Sequence, residues 1–473
     1  MTNPTNPAIA QATASVAAAA ERAQGDPTRP IYHFCPPANW MNDPNGTIYH
    51  NGYYHLFYQH NPYGDEWGHM HWGHARSTDL VHWEHLPIAL WPSHELGEEH
   101  CFSGCAAIDG EGQPLLLYTR VGPGDREQRP ANEQWVARGD ADWITWQKHP
   151  ANPALSLQSH GGPPFEGEWR DPFIFSEGGR TFMVLGGAYD DIAGVALYEA
   201  ADQTLVNWRY RKLLYQQPRS VIRFFECPNF FKVGNKWMLL TSPYQPIEYL
   251  VGDFDLETLT FAPTAQGVLD PGFSDVPNFY ASNILYDEQG RCILLGWARG
   301  FPKGHGWNGC LALPRILTIG PDGHPQQMPI PQLQTLRTER YQCISPVHQN
   351  SSSIRPEIQG DALEVQTLLA FSHGAVTLRL RRSTDGSRSV DVAYDGAQLT
   401  VAGTQVPLTL GHDEPLKLHL FLDKSLLELF VNGGRVAVTR VIEAPVADVG
   451  VELVTDGDVA VTALELWELQ SIH

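Results

Sequence analysis

The chain has 473 residues, 32 Lys plus Arg against 53 Asp plus Glu, and a formal net charge of −21. At about 100–200 residues per domain that length suggests two to four domains, and a charge of that sign repels phosphate backbones and anionic lipid, so nucleic acid and membrane are not expected partners. Hydrophobic residues make up 42% and charged residues 18%, which excludes wholesale disorder, while 43 Gly and 36 Pro predict many turns and short strands.

Residues 1–30 are rich in Ala, Thr, Asn and Pro and read as a tail or short surface helix outside any core. No Lys or Arg precedes the Ala17–Ala20 run, so it lacks the basic start of a secretion signal. The seven cysteines are odd in number and form no Cys-x-x-Cys unit. Free thiols and a cytoplasmic, reducing placement are therefore expected.

Residues 31–325 carry a weak repeat. Five segments begin at Asp43, Ser103, Asp171, Glu226 and Ser282, each a polar start, an apolar strand, a turn with Gly and a second apolar strand. Hairpin units recurring every 55 to 68 residues fit a five-bladed β-propeller, in which equivalent points of the repeat converge on one mouth of a central channel. Ordinary hairpins in another all-β fold are the alternative.

Three of the starts carry a carboxylate: Asp43, Asp171 and Glu226. A lone Asp-Pro is usually a plain turn, but three acids at matching phases of one repeat point to a shared site. Crowded carboxylates cannot all ionise cheaply, so at least one pKa is expected to rise. One protonated and one ionised carboxyl is the pairing that glycoside hydrolysis needs. Metal binding competes for such clusters, yet no calcium-loop or HExxH motif is present. The piece His69-Met70-His71-Trp72-Gly73-His74 offers at most two ligands on one strand face, and packing is the expected role. No metal or cofactor is expected. Trp40, Trp67, Trp72, Phe102, Trp169, Tyr280 and Trp297 lie near the starts, where aromatic platforms suit the C–H faces of a sugar.

A Pro/Gln-rich stretch, Pro325 to Gln334, begins a linker over 326–350. From 351 to 473 β-branched residues alternate with polar ones. Strands are predicted at Ala375–Arg381, Ser389–Tyr394, Leu416–Leu422 and Leu426–Val431, with an Asn432-Gly433 hairpin turn, giving a β-sandwich.

These residues carry a resemblance. Asn39-Trp40-Met41-Asn42-Asp43-Pro44-Asn45-Gly46, Phe57-Tyr58-Gln59-His60-Asn61-Pro62, Trp72-Gly73-His74-Ala75, Phe102-Ser103-Gly104, Trp169-Arg170-Asp171-Pro172 and Glu226-Cys227-Pro228 resemble the signature set of glycoside hydrolase family 32, the invertases, fructanases and fructosyltransferases. The resemblance implies a five-bladed propeller plus a β-sandwich and a small sugar as substrate, sucrose or a short fructo-oligosaccharide. It implies Asp43 as nucleophile, Glu226 as acid/base and Asp171 as the group holding fructose hydroxyls, with Arg170 helping to keep Asp171 ionised. Asn42, Gln59, Trp67, Phe102, Ser103, Cys227, Tyr280 and Trp297 match positions lining the fructose pocket. Asn283 stands where the family usually has Gln.

Overall fold

The hairpin turns marked by glycine form as their chemistry demands. Asn51-Gly52 and Gly178-Gly179 have positive φ at both central positions (50° and 83°; 58° and 75°), the type I′ geometry that matches strand twist. In the computed structural model, which describes residues 6–124, 131–272, 277–343 and 351–472, five antiparallel sheets span 39–90, 100–148, 169–218, 226–268 and 279–329. Their first strands are Asn39–His50, His100–Ile108, Trp169–Glu177, Glu226–Val233 and Phe279–Tyr286. Each lies against the first strands of the blades on either side, and the fifth meets the first. The sheets are therefore the blades of a five-bladed propeller with these strands innermost. The segment 307–311 closes the ring, pairing Trp307–Asn308 in parallel with Asn39 and Trp40, and Cys310–Leu311 with Trp297 and Ala298.

The C-terminal strands form one ten-stranded hydrogen-bonded network. Two long strands, Ala362–Arg382 and Gly450–Leu469, run through it and are interrupted by bulges. Leu363 and Val365, paired toward Leu416–Asp423, share a core with Val376 and Leu378, paired toward Val390–Tyr394. The network is thus folded onto itself as a sandwich. The strand predicted at Ala375–Arg381 is the second half of a 21-residue strand.

Two expectations need correction. Residues 7–24 take the helix of the two alternatives, with Asn6 capping Pro7–Gln24 by accepting from the Ala8 N–H at 2.9 Å, but they do not lie outside any core: Val16 and Ala23 join Cys35, Phe301, Trp307 and Leu426 in an apolar cluster. Small side chains let this helix sit close to the propeller. The stretch 326–343 is also built into the two domains and is not a bare linker. Pro325–Pro329 is the outermost strand of the fifth blade, an edge where prolines are tolerated. A short 3₁₀ turn, Pro331–Leu336, follows, and Arg337–Cys343 pairs with the final strand of the sandwich; residues 344–350 lie outside the described ones.

Propeller and sandwich are joined by a buried ionic network. His33 contacts Asp423 through Nδ1 (2.8 Å) and Glu428 through Nε2 (3.0 Å). Arg315, fully buried, donates to Asp270 (3.0 Å), Glu428 (2.6 Å), Gln327 (2.8 Å) and Thr439 (2.5 Å).

Candidate active site

Each innermost strand breaks register with its neighbour at the same level. Two residues of the inner strand oppose one of the next: Asn42-Asp43 across from Gln59, Phe102-Ser103 from Thr119, Asp171-Pro172 from Leu185, Cys227-Pro228 from Thr241, Ala281-Ser282 from Gly296. These are five β-bulges around one ring, and bulges re-aim side chains. Three bulge residues have left-handed backbone: Asp171 (φ 67°), Cys227 (φ 48°) and Ala281 (φ 46°). Asp43 and Asp171 sit within their bulges and Glu226 just before its own. Relative to the bulges the three acids are thus not equivalent, Asp171 standing one residue and Glu226 two residues earlier than Asp43, and the distorted backbone turns them toward one another.

Asp43 is held by three side-chain donors: Asn42 Nδ2 on Oδ1 (2.9 Å), and Ser103 Oγ (2.5 Å) and the Cys227 thiol (3.6 Å) on Oδ2. Burial and then the charge of Glu226 push the Asp43 carboxyl up, against these three donors. The Cys227 thiol is itself pushed up by burial and the surrounding carboxylates, so it stays an S–H donor. Asp171 accepts from the backbone N–H of Cys227 (2.9 Å), and its own N–H donates to Thr119 Oγ1 (3.0 Å).

Glu226 is gripped at both oxygens. Arg170 Nη2 donates to Oε1 (2.7 Å) and Tyr280 OH to Oε2 (2.8 Å). Arg170 also bonds Glu168 and Tyr244 OH (2.5 Å), stacks over Phe224 at 4.4 Å, and comes within 3.6 Å of Asp171 through Nε. It therefore pulls the Asp171 carboxyl down, as expected, but burial leads and the charges of Glu226 and Asp43 add to it, so Asp171 is raised.

Of the aromatic residues near the repeat starts, Tyr280 touches Glu226 and Trp40 touches Asn42, whereas Trp72 and Trp169 are fully buried in blade cores and cannot serve as platforms. Trp40 donates to Asn42 Oδ1 (2.7 Å) and meets Trp297 edge-on at 5.6 Å. Arg299 lies over Trp297 and Tyr280 at 4.7 and 5.2 Å. Trp67, 51% exposed, stands edge-on to Phe102 at 6.2 Å. Gln59 is buried and spends its amide N–H on Cys101 O (3.0 Å). Asn283 bridges blades five and one, donating to Pro44 O (3.3 Å) and accepting from Thr47 (3.3 Å).

The histidine-rich piece packs. His74 stacks on Phe57 at 4.0 Å and meets His55 at 3.2 Å, while His71 contacts His69 O at 2.5 Å. Among the described residues no group of three potential metal ligands is present, and no helix is long and apolar enough to cross a membrane. Sequence reading missed Glu168, Tyr244, Thr119 and Arg299. Glu168 is two residues from Arg170 and could have been suspected; Tyr244 has no motif around it.

The model of the glycosyl hydrolases family 32 N-terminal domain matches residues 33–329, and that of the family 32 C terminal matches 332–468. The chain is similar to a raffinose invertase of Escherichia coli (32% identical, 94% of this chain and 96% of that protein). It is also similar to a levanase of Bacillus subtilis (31%; 94% and 71%). Among solved structures it resembles a β-fructofuranosidase of Bombyx mori (28% identical, 98% of both chains, TM-score 0.82) and a sucrose-6-phosphate hydrolase of Lactobacillus gasseri (26%; 98% and 97%; TM-score 0.84). With both domains matched and relatives above 30% identity across most of the chain, this protein is a glycoside hydrolase and belongs to glycosyl hydrolase family 32.

Proposed function

We propose that the chain is a retaining β-fructofuranosidase that cleaves the terminal β-fructofuranosyl bond of sucrose and short fructo-oligosaccharides. The observation that carries this reading is the ring of bulges that turns Asp43, Asp171 and Glu226 onto one centre. The propeller, through its last strand Pro325–Pro329, is read as the catalytic unit and the sandwich that begins with Arg337–Cys343 as its companion. In this reading Asp43 attacks the anomeric C2 of the fructosyl unit while Glu226 protonates the leaving oxygen, giving a covalent fructosyl-enzyme. Glu226 then takes a proton from water, which attacks C2 and frees Asp43. Asp171 holds ring hydroxyls and faces the positive charge that develops on the sugar.

Hydrogen-bond inventory supports the roles. Arg170 is donor-only, so Glu226 Oε1 beside it cannot carry the acid proton toward it. The proton belongs on Oε2, next to Tyr280. The Tyr280 hydroxyl also lies 2.8 Å from Ser242 O, so it can donate to the Glu226 anion or, once Glu226 is protonated, to the carbonyl. Both protonation states of the cycle keep a partner. The relatives include an invertase, a levanase and sucrose-6-phosphate hydrolases, which is why the leaving group needs direct test. Product analysis on sucrose, 1-kestose, inulin and levan should find fructose released fastest from sucrose and 1-kestose. Faster release from inulin or levan would move the assignment to a fructanase, and fructosyl transfer products in place of free fructose to a transferase.

A further inference from the structure

Tyr244 lies in the connection that follows the strand Lys236–Ser242, between Pro243 and Pro246. Its backbone is left-handed, φ 64°, a conformation disfavoured for a ring-bearing residue. Packing does not account for it, because the residue is 41% exposed. Two hydrogen bonds do. The Tyr244 hydroxyl accepts from Arg170 Nη2 at 2.5 Å, and the Tyr244 backbone N–H donates to Tyr280 OH at 2.9 Å. Arg170 and Tyr280 are the two donors to Glu226, one on each carboxyl oxygen. One residue outside every motif therefore holds both partners of the same carboxyl.

We infer that Tyr244 is a positioning residue for Glu226, fixing through Arg170 and Tyr280 both the orientation of its carboxyl and the balance between its protonated and ionised forms. The inference rests on Glu226 being the acid/base. Arg170 Nη2 has two hydrogens, and Glu226 and Tyr244 take one each. Without the phenol oxygen the guanidinium loses one anchor, and Glu168 and Asp171, its other neighbours, draw it from Glu226. Glu226 Oε1 then loses the fixed cationic donor that favours the ionised carboxylate. The titratable and charged groups around Glu226 are Arg170, Asp171, Asp43, Cys227, Tyr280 and Tyr244 itself, with Arg223 over the Tyr244 ring at 5.8 Å. Of these only the Arg170 contact is changed directly when the phenol oxygen is removed.

Y244F keeps the ring and the backbone N–H, and its exposed ring makes loss of folding unexpected; its thermal midpoint should match wild type. On sucrose kcat/KM should fall about tenfold, a part of the about 10²–10⁴ that general acid–base catalysis supplies. The alkaline limb of its pH profile should move up by about half a unit or more. With an activated fructoside whose leaving group needs no proton, Y244F added to E226A should cause no further loss, because a residue acting through Glu226 has nothing left to act on. An unmoved alkaline limb, or the same fold-loss in the E226A background as in wild type, would overturn the inference. Normal turnover of sucrose by E226A would instead remove the acid/base assignment on which it rests.

Discussion

Glu226 has two oxygens with different neighbours, and that difference organises the chemistry. Arg170 occupies one side and Tyr280 the other, so the proton has one place to reside. E226Q is nearly isosteric and still accepts from Arg170, so the fold should persist while kcat on sucrose drops by about 10²–10⁴. The drop should be smaller for an activated fructoside, and near-normal sucrose turnover would contradict the assignment. The three acids were legible in the sequence because each begins a repeat unit, Asp43 and Asp171 directly before a proline and Glu226 two residues before one. Their second partners were not. Thr119, which accepts from the Asp171 backbone N–H, and Tyr244, which bonds Arg170, come from positions with no signature, and only the packing of blade against blade brings them there; Glu168, two residues before Arg170 in the sequence, was within reach of a closer reading.

The five bulges explain why a regular propeller presents an irregular site. A strand alternates its side chains, so a regular inner strand would send neighbouring residues to opposite faces; one extra residue per blade changes that pattern at the level of the acids. The bulges were invisible to a period-two reading, which counts alternation and not pairing register. Hairpin turns such as Asn51-Gly52 were readable because the backbone there demands particular residues. The 21-residue strand Ala362–Arg382 was only half seen, since Ser372-His373-Gly374 in its middle looks like a turn and is in fact a bulge opposite Gly457 and Asp458. Close approach at the bulges is a further demand. A Cβ on Gly186, in the middle of blade three, would lie 1.9 Å from the carbonyl oxygen of Phe225, the residue before Glu226. That contact is backbone and cannot swing aside. G186A is therefore expected to cost about 1–3 kcal/mol in stability and to lower activity more than its thermal midpoint alone explains, by displacing Glu226. Chemical denaturation together with kcat/KM checks both, and unchanged activity would mean the Phe225–Glu226 backbone tolerates displacement.

The network around His33 and Arg315 ties the propeller to the sandwich. Each His33 ring nitrogen faces a carboxylate; burial opposes charging the ring, but Asp423 and Glu428 outweigh it and raise its pKa from 6.5 to about 9. A raised cationic group stabilises fully below its unfolded pKa and loses that contribution as pH climbs through the folded value. Wild-type stability should therefore decline between about pH 6.5 and 9, by up to about 3 kcal/mol from this group. H33Q should be less stable at pH 6 and lack that decline; an equally steep decline in H33Q would place its origin elsewhere. None of this network was foreseen, because Asp423 and Glu428 lie nearly four hundred residues from His33 in the chain and read as ordinary polar positions of a sandwich strand. Two carboxyls acting in turn on one bond also fix the stereochemical outcome of the whole reaction, and that outcome is the most direct test of the account. Proton NMR of sucrose hydrolysis, recorded before mutarotation, should find β-fructofuranose as the first anomer of fructose released, the mark of two inversions through a fructosyl-Asp43 intermediate. Initial release of the α-anomer would mean a single inversion by water and would remove Asp43 as the nucleophile.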